Sequence, residues 1–283
     1  MQPYLLFAPA ILLVATFKLW PFAVGIETSL TRPRNLFDSQ FVGLSNYYLA
    51  AQDDVWRHSI VNLVRMLATL PIFVLVPLVI ASVLFHGIRG WRFFRAVFFL
   101  SWLLPPVTVG YMFDPILGFR GPVNTLLTAI HVAPVNWLGS VGLTPWVLVG
   151  VILWSWFGLG TGIYLAGFGT LPSDHLDAAR IDGAGPISTL LWVEVPHLLP
   201  TVSYWSIICT TGMLLGLFPF ILALTGGGPG DATTMPEFQV WHVSTSTYNP
   251  GYASALGITL FGAAAILTLA QVRLLFSRSR EDT

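Results

Sequence analysis

The sequence predicts an all-α membrane protein with six transmembrane helices and one short helix in the segment between helices 4 and 5. Three observations carry that expectation. Of 283 residues, 55% are hydrophobic and only 9% charged, and the mean hydropathy is +0.74. A soluble domain carries about 25% charged residues, so lipid must be the solvent for most of this surface. Six apolar runs reach the roughly 20 residues that a helix needs to cross hydrocarbon. Between the fourth and fifth runs lies a polar island, Pro172 to Pro200, with four of the chain's 13 acids: Asp174, Asp177, Asp182 and Glu194.

The runs cover about 4–26, 59–85, 96–117, 145–169, 201–224 and 252–276, and residues 1–283 are expected to form a single transmembrane domain. An open sheet cannot cross lipid, because its edge N–H and C=O groups find no partner there, and the runs are too long and uniform for barrel strands. The first run lacks a basic leader and a small-residue cleavage site, so it is expected to stay as a span. The chain opens at Met1-Gln2-Pro3, either with a short leader or with a few native residues missing ahead of it. In the loop 27–58, Asn46-Tyr47 reads as an interfacial turn and anchor.

The second run carries Pro71 and Pro77, and the third Pro105-Pro106. Proline frees a backbone carbonyl, which lipid tolerates only where a neighbouring helix serves it. Kinked helices of this kind either line a path or shape packing. In the fourth run Gly158, Gly162 and Ala166 recur every four residues, a stripe for close helix approach. Trp154 and Trp156 lie near its middle and read first as core fillers. The fifth run holds Tyr204, Trp205, Thr210 and Thr211, then Gly216-Leu217-Phe218-Pro219. The sixth has Ala253 and Gly257 as a helix-contact pair.

Cations set the orientation. With both ends inside, the inner segments hold Arg89, Arg92, Arg95, Arg180, Arg273, Arg278 and Arg280, against Arg32, Arg34, Arg57 and Arg120 outside. The excess places the polar island in the cytoplasm. Lys18 and Arg65 fall inside spans, each roughly 9 Å from the outer end at 1.5 Å per residue, and both are expected to snorkel. Asp114-Pro115 reads as a turn near an outer helix end.

Several chemistries are excluded. Net charge is zero, so no basic face for nucleic acid exists. Cys209 is the single cysteine, which rules out a disulfide framework or zinc cluster. There is no Walker lysine loop, no His-Glu-x-x-His and no Gly-x-Ser-x-Gly. His175 and His197 read as surface residues, and neither a catalytic nor a metal site is expected. No span holds a pair of carboxylates for a proton relay.

Within the island, Ser173 is placed to cap a helix, with Asp174 in its favourable first turn. Gly183 offers a left-handed stop, and Pro186 opens a second helix. The first helix would run nine or ten residues, about 15 Å.

Asp177-Ala178-Ala179-x-x-Asp182-Gly183-Ala184, with Pro196 and Pro200 behind it, resembles the EAA loop of ABC-importer permeases. It departs from that pattern at Asp177 for Glu, Leu190 for Phe and Glu194 for Thr. Leu224-Thr225-Gly226-Gly227-Gly228-Pro229 resembles a phrase of maltose-type and glycerol-phosphate-type permeases, where it marks the first of two unlike permease subunits. Phe41-Val-Gly-Leu-Ser-Asn46-Tyr47 resembles the first outer loop of sugar-transporting members. The resemblance implies a non-catalytic permease subunit of the bacterial plasma membrane, both termini cytoplasmic, with a cytoplasmic coupling helix between helices 4 and 5.

The implied partners are a second homologous permease forming a heterodimer, two ATPase subunits, an extracytoplasmic solute-binding protein and the lipid bilayer. ATP and Mg would sit on the ATPase subunits, with no cofactor on this chain. The implied coupling residues are Asp177, Ala178, Ala179, Asp182, Gly183, Ala184, Pro196 and Pro200. The implied solute is a sugar or sugar-like molecule: an oligosaccharide, monosaccharide derivative, polyol or glycerol phosphate. Maltose-type relatives carry asparagines where this chain has Ile152, Ser155 and Leu214-Leu215, so a solute other than maltose is expected, or recognition left to the binding protein. Ser155, Trp156, Thr211 and Phe218 are the candidate path lining. The alternative, a stand-alone six-helix carrier or membrane enzyme, needs buried catalytic or ion-coupling groups that the spans scarcely offer.

Overall fold

The computed structural model describes residues 2–34, 38–87 and 90–277. Helix α1 (Gln2–Val14) passes through a π-helical turn, Ala15–Leu19, into α2 (Trp20–Ser29). A short antiparallel ribbon follows, β1 (Thr31–Pro33) with β2 (Ser39–Phe41), Thr31 opposite Phe41. Then come α3 (Ser45–Gln52), α4 (Asp54–Ala68) and α5 (Leu70–Phe85). Helices α6 (Trp91–Leu103), α7 (Pro106–Leu117), α8 (Pro122–Ala129) and α9 (Thr144–Phe168) lead to α10 (Ser173–Ile181). The chain continues as α11 (Pro186–Thr189), a second π-turn (Leu190–Glu194) and α12 (Val195–Leu215). It closes with α13 (Phe218–Leu224), α14 (Pro236–Ser246) and α15 (Pro250–Ser277).

Among the described residues five helices are long and apolar enough to cross a membrane: Phe7–Ser29, Asp54–Phe85, Thr144–Phe168, Pro186–Leu215 and Pro250–Arg273. A sixth candidate is a pair, Phe93–Leu103 and Pro106–Ala129, bent by 101°. The span expected at 96–117, with a kink at Pro105-Pro106, is therefore two helices meeting at a sharp bend. Leu104 is extended ahead of Pro105-Pro106, since the ring of a following proline excludes the helical region. The fifth span also moves. It begins at Pro186, not 201, and stops at Leu215, with Leu224 belonging to the separate α13. Much of the expected loop 172–200 is thus helix, and Pro196 and Pro200 lie within or at the start of α12. Asp114 and Pro115 lie inside α7 and form no turn. Of the inner cations, Arg89, Arg278 and Arg280 fall outside the described residues.

Both π-turns end next to a proline. Trp20 N–H donates five residues back to Ala15, and Val195 N–H does the same to Leu190. Pro21 and Pro196 follow directly. A proline ring crowds the carbonyl four residues back, and a widened turn accommodates it. Pro77, deep in α5, is served differently. It cannot donate to the carbonyl of Phe73, four residues earlier. The indole Nε1–H of Trp205 donates to that oxygen at 2.9 Å, with both groups buried. A freed carbonyl of the second span is thereby served by the fifth, as the proline pattern requires.

Side-chain amides do similar work at the end of the bundle away from α10. Asn46, fully buried, donates to the carbonyls of Ser29 and Thr31, each at 2.8 Å, and Tyr47 OH meets Ser29 Oγ at 2.8 Å. The Asn46-Tyr47 pair is therefore a clamp between α2, β1 and α3. The glycine-rich segment turns through positive φ at Gly226, Gly227 and Gly230. Asn62 of α4 latches it by donating to the carbonyls of Asp231 (2.8 Å) and Thr234 (3.1 Å).

Trp205→Phe keeps an aromatic filler but removes the indole donor. It should destabilise the fold by about 1–3 kcal/mol, the cost of orphaning a buried acceptor. A lowered unfolding midpoint in detergent would show it.

Candidate coupling site

The polar island builds a self-contained peg. Helix α10 spans Ser173–Ile181, nine residues. Its N-cap residue is Pro172, and no side chain caps it. Ser173, expected as the cap, is already inside the helix, and its hydroxyl donates to Asp174 Oδ1 at 3.4 Å. The C-terminus closes as expected. Gly183 takes φ +73°, its N–H donates to Arg180 O at 3.1 Å, and Ala184 N–H donates to Ala179 O at 2.9 Å. That pair of bonds is the Schellman closure, and its left-handed residue costs glycine nothing.

The two alanines divide the helix. Ala179 is buried toward the second π-turn, while Asp177, Ala178, Asp182 and Gly183 are exposed. Asp177 Oδ1 pairs with Arg180 Nη1 at 2.9 Å across one turn, an exposed pair worth only about 0.2–0.5 kcal/mol. Ala178, Asp182, Trp192 and Pro196 line an open cleft of about 460 Å³ on one flank of α10. His175 and His197 also line it, and among the described residues no metal-binding cluster occurs. Ile181 is 86% and Trp192 79% exposed, and Ile187 is also exposed. These apolar side chains were missed in the sequence, where the acids drew notice. Their signal was three large apolar residues inside a polar stretch.

Of the four acids of the island, Glu194 turns inward. It is fully buried. Ser82 Oγ donates to its Oε2 at 3.0 Å, and its Oε1 lies 2.7 Å from His86 Nε2. The π-turn behind the peg is thereby pinned to the last turn of α5.

The four candidate path residues make two sets of local contacts. Ser155 and Trp156 are buried and border a cleft of about 350 Å³ at the bend between α6 and α7. Trp156 also lies edge-on to Phe73, with ring centroids 5.8 Å apart, and packs on Gly212 next to the exposed Thr211. Phe218 belongs to a separate aromatic cluster with Phe238 and Trp241. That cluster sits at the break between α12 and α13. There Glu237 of α14 accepts hydrogen bonds from the N–H groups of Leu217 (3.1 Å) and Phe218 (3.2 Å). Burial pushes its carboxyl up from the usual 4.5 to about 7, and the two backbone bonds pull it partly back.

The bundle, its bent third span and its exposed peg define a helical membrane permease. A family profile, the binding-protein-dependent transport system inner membrane component, matches residues 47–280. The chain belongs to this family, the permease subunits of ABC importers. It is 31% identical over 271 residues to the multiple sugar-binding transport system permease protein MsmF of Streptococcus mutans, covering 95% of this chain and 93% of that one. It is 28% identical to the trehalose/maltose transport system permease protein MalF of Thermococcus litoralis, covering 99% and 94%. In fold it is similar to a bacterial ABC transporter involved in import of the acidic polysaccharide alginate. There the TM-score is 0.84 at 18% identity, over 98% of this chain and 96% of that chain.

Glu194→Ala should leave Ser82 and His86 unpaired and open a hole, costing about 3 kcal/mol in thermal unfolding, with Glu194→Gln milder. Glu237 gives a pH dependence. Between about pH 4.5 and 7 the folded chain holds a proton there that the unfolded chain has lost. Its stabilising share is complete below pH 4.5 and is lost as pH rises through 7. Melting curves across that window should show the decline, and Glu237→Gln should flatten it.

Proposed function

We propose that this permease is half of the translocation path of an ATP-driven importer for a sugar or sugar-like solute. A second, homologous permease supplies the other half, and a solute-binding protein delivers the solute from outside. ATP and Mg act on two ATPase subunits, and this chain carries out no chemistry. Both termini and α10 face the cytoplasm, as the excess of arginines in those segments supports. The sugar class is supported by the relatives, whose names are those of sugar and glycerol-phosphate permeases.

The observation that carries the mechanical part is the exposed α10, Schellman-closed at Gly183, with Ala178 and Asp182 lining an open cleft. A short helix closed at its own end moves as a rigid body. Docked in an ATPase subunit, it passes the closure of the ATPase dimer to the helices behind it. Ala178 lets the cleft wall come close, the acids meet basic groups there, and Ile181 and Trp192 give the contact its apolar area. Pro196 and Pro200 shape the start of the fifth span, which receives the push. Ser155, Trp156, Thr211 and Phe218 remain the candidate contacts for solute.

Gly183→Asp places a side chain at φ +73°, strained by about 1 kcal/mol, and opens the turn. The variant should reach the membrane at the normal level and lose ATP-driven uptake. Normal uptake would remove the docking role of α10. Labelling of Asp182 from the outside of intact cells would overturn the orientation.

A further inference from the structure

A lateral cleft of about 510 Å³ runs between α6 and α9, toward the end of that pair nearest α10. No part of the coupling site or of the candidate path uses it. Its origin is local. The backbone of α6 at Phe98 rests on Gly158, so the two helices touch there. One turn further, α6 no longer covers α9: a Cβ built on Gly162 meets nothing within 4 Å. The expected Gly158–Gly162–Ala166 stripe thus serves helix contact at one end and floors a cleft at the other.

Two further features give the cleft a chemistry. Arg95 lines it, and among the described residues no carboxylate pairs with its guanidinium. Thr161 also lines it, only 2% exposed, and its Oγ1 has no hydrogen-bond partner. A buried hydroxyl left alone is costly, so it marks a place where an acceptor belongs. The remaining walls, Phe98, Phe99 and Ile163, are apolar. A free sugar has no use for such walls. An amphiphile with an anionic head, an ester carbonyl and a hydrocarbon tail matches all three parts, and a membrane component is surrounded by one.

We infer that this cleft binds one anionic phospholipid. Its phosphate lies on Arg95, its glycerol ester accepts from Thr161 Oγ1, and an acyl chain lies over Gly162 between the phenylalanines. Bound lipid then fills the seam between the third and fourth spans on the side where α10 emerges.

Native mass spectrometry tests this on the full chain in the assembly with which it co-purifies, exchanged into phosphatidylglycerol or phosphatidylcholine. Phosphatidylglycerol should be retained in preference. Arg95→Gln should reduce that preference about fivefold, the worth of one arginine at a lipid surface. Gly162→Leu grows into open space, so it should fold normally and abolish retention. Thr161→Val, which keeps the side chain's shape, should shorten it and serves if the leucine variant fails to fold. Equal retention of the two lipids, or unchanged retention in Arg95→Gln and Thr161→Val, overturns the inference. So does release of the lipid by millimolar glycerol phosphate, or a photoreactive side chain at position 162 that crosslinks to protein instead of lipid.

Discussion

In hydrocarbon a backbone polar group has no water to fall back on, and this constraint organises the bundle. The carbonyl of Phe73 is the clearest case. Pro77 cannot serve it, so Trp205 does, from a helix 132 residues away in sequence. The same bond sets how deep the fifth span sits against the second. Trp205 then lies against Gly160, where only a residue without a side chain leaves room for the ring. One missing N–H thus fixes the relation of three spans.

The other irregularities are met in the same way. Glu237 serves the two N–H groups exposed where α12 breaks into α13, Asn62 serves the carbonyls of the glycine-rich segment, and Asn46 serves the end of the first rod. These buried polar side chains are engaged with backbone. The peg follows a complementary logic. It stands in water, satisfies its own end through Gly183 and Ala184, and presents side chains outward. Glu194 behind it belongs to the interior, where it ties the base of the peg to α5 through Ser82 and His86.

Much of this was legible in the residues. Composition required helices in lipid, and the island from Pro172 to Pro200 announced a short helix whose stop at Gly183 was placed correctly. The prolines foretold freed carbonyls. The partner of the one at Phe73 was not legible, nor were the roles of Asn62 and Glu237, because such residues look the same in sequence whether they face lipid, a path or a backbone gap. The bend at Pro105-Pro106 was readable as a kink but not as a turn of 101°. Its angle depends on what packs on each side. The burial of Glu194 was not legible because its neighbours in space, Ser82 and His86, are more than a hundred residues away in sequence.

The sequence by itself determined the solvent, the number of apolar segments, the position of the peg and the family. All of these rest on local composition and short-range backbone chemistry. Tertiary structure alone decided which polar groups are occupied, where the third and fifth helices break, and that Trp156 packs on Phe73 and Gly212 while Phe218 packs with Phe238 and Trp241. Those outcomes depend on contacts between distant segments, and an apolar helix surface carries no pattern that says which neighbour it will meet.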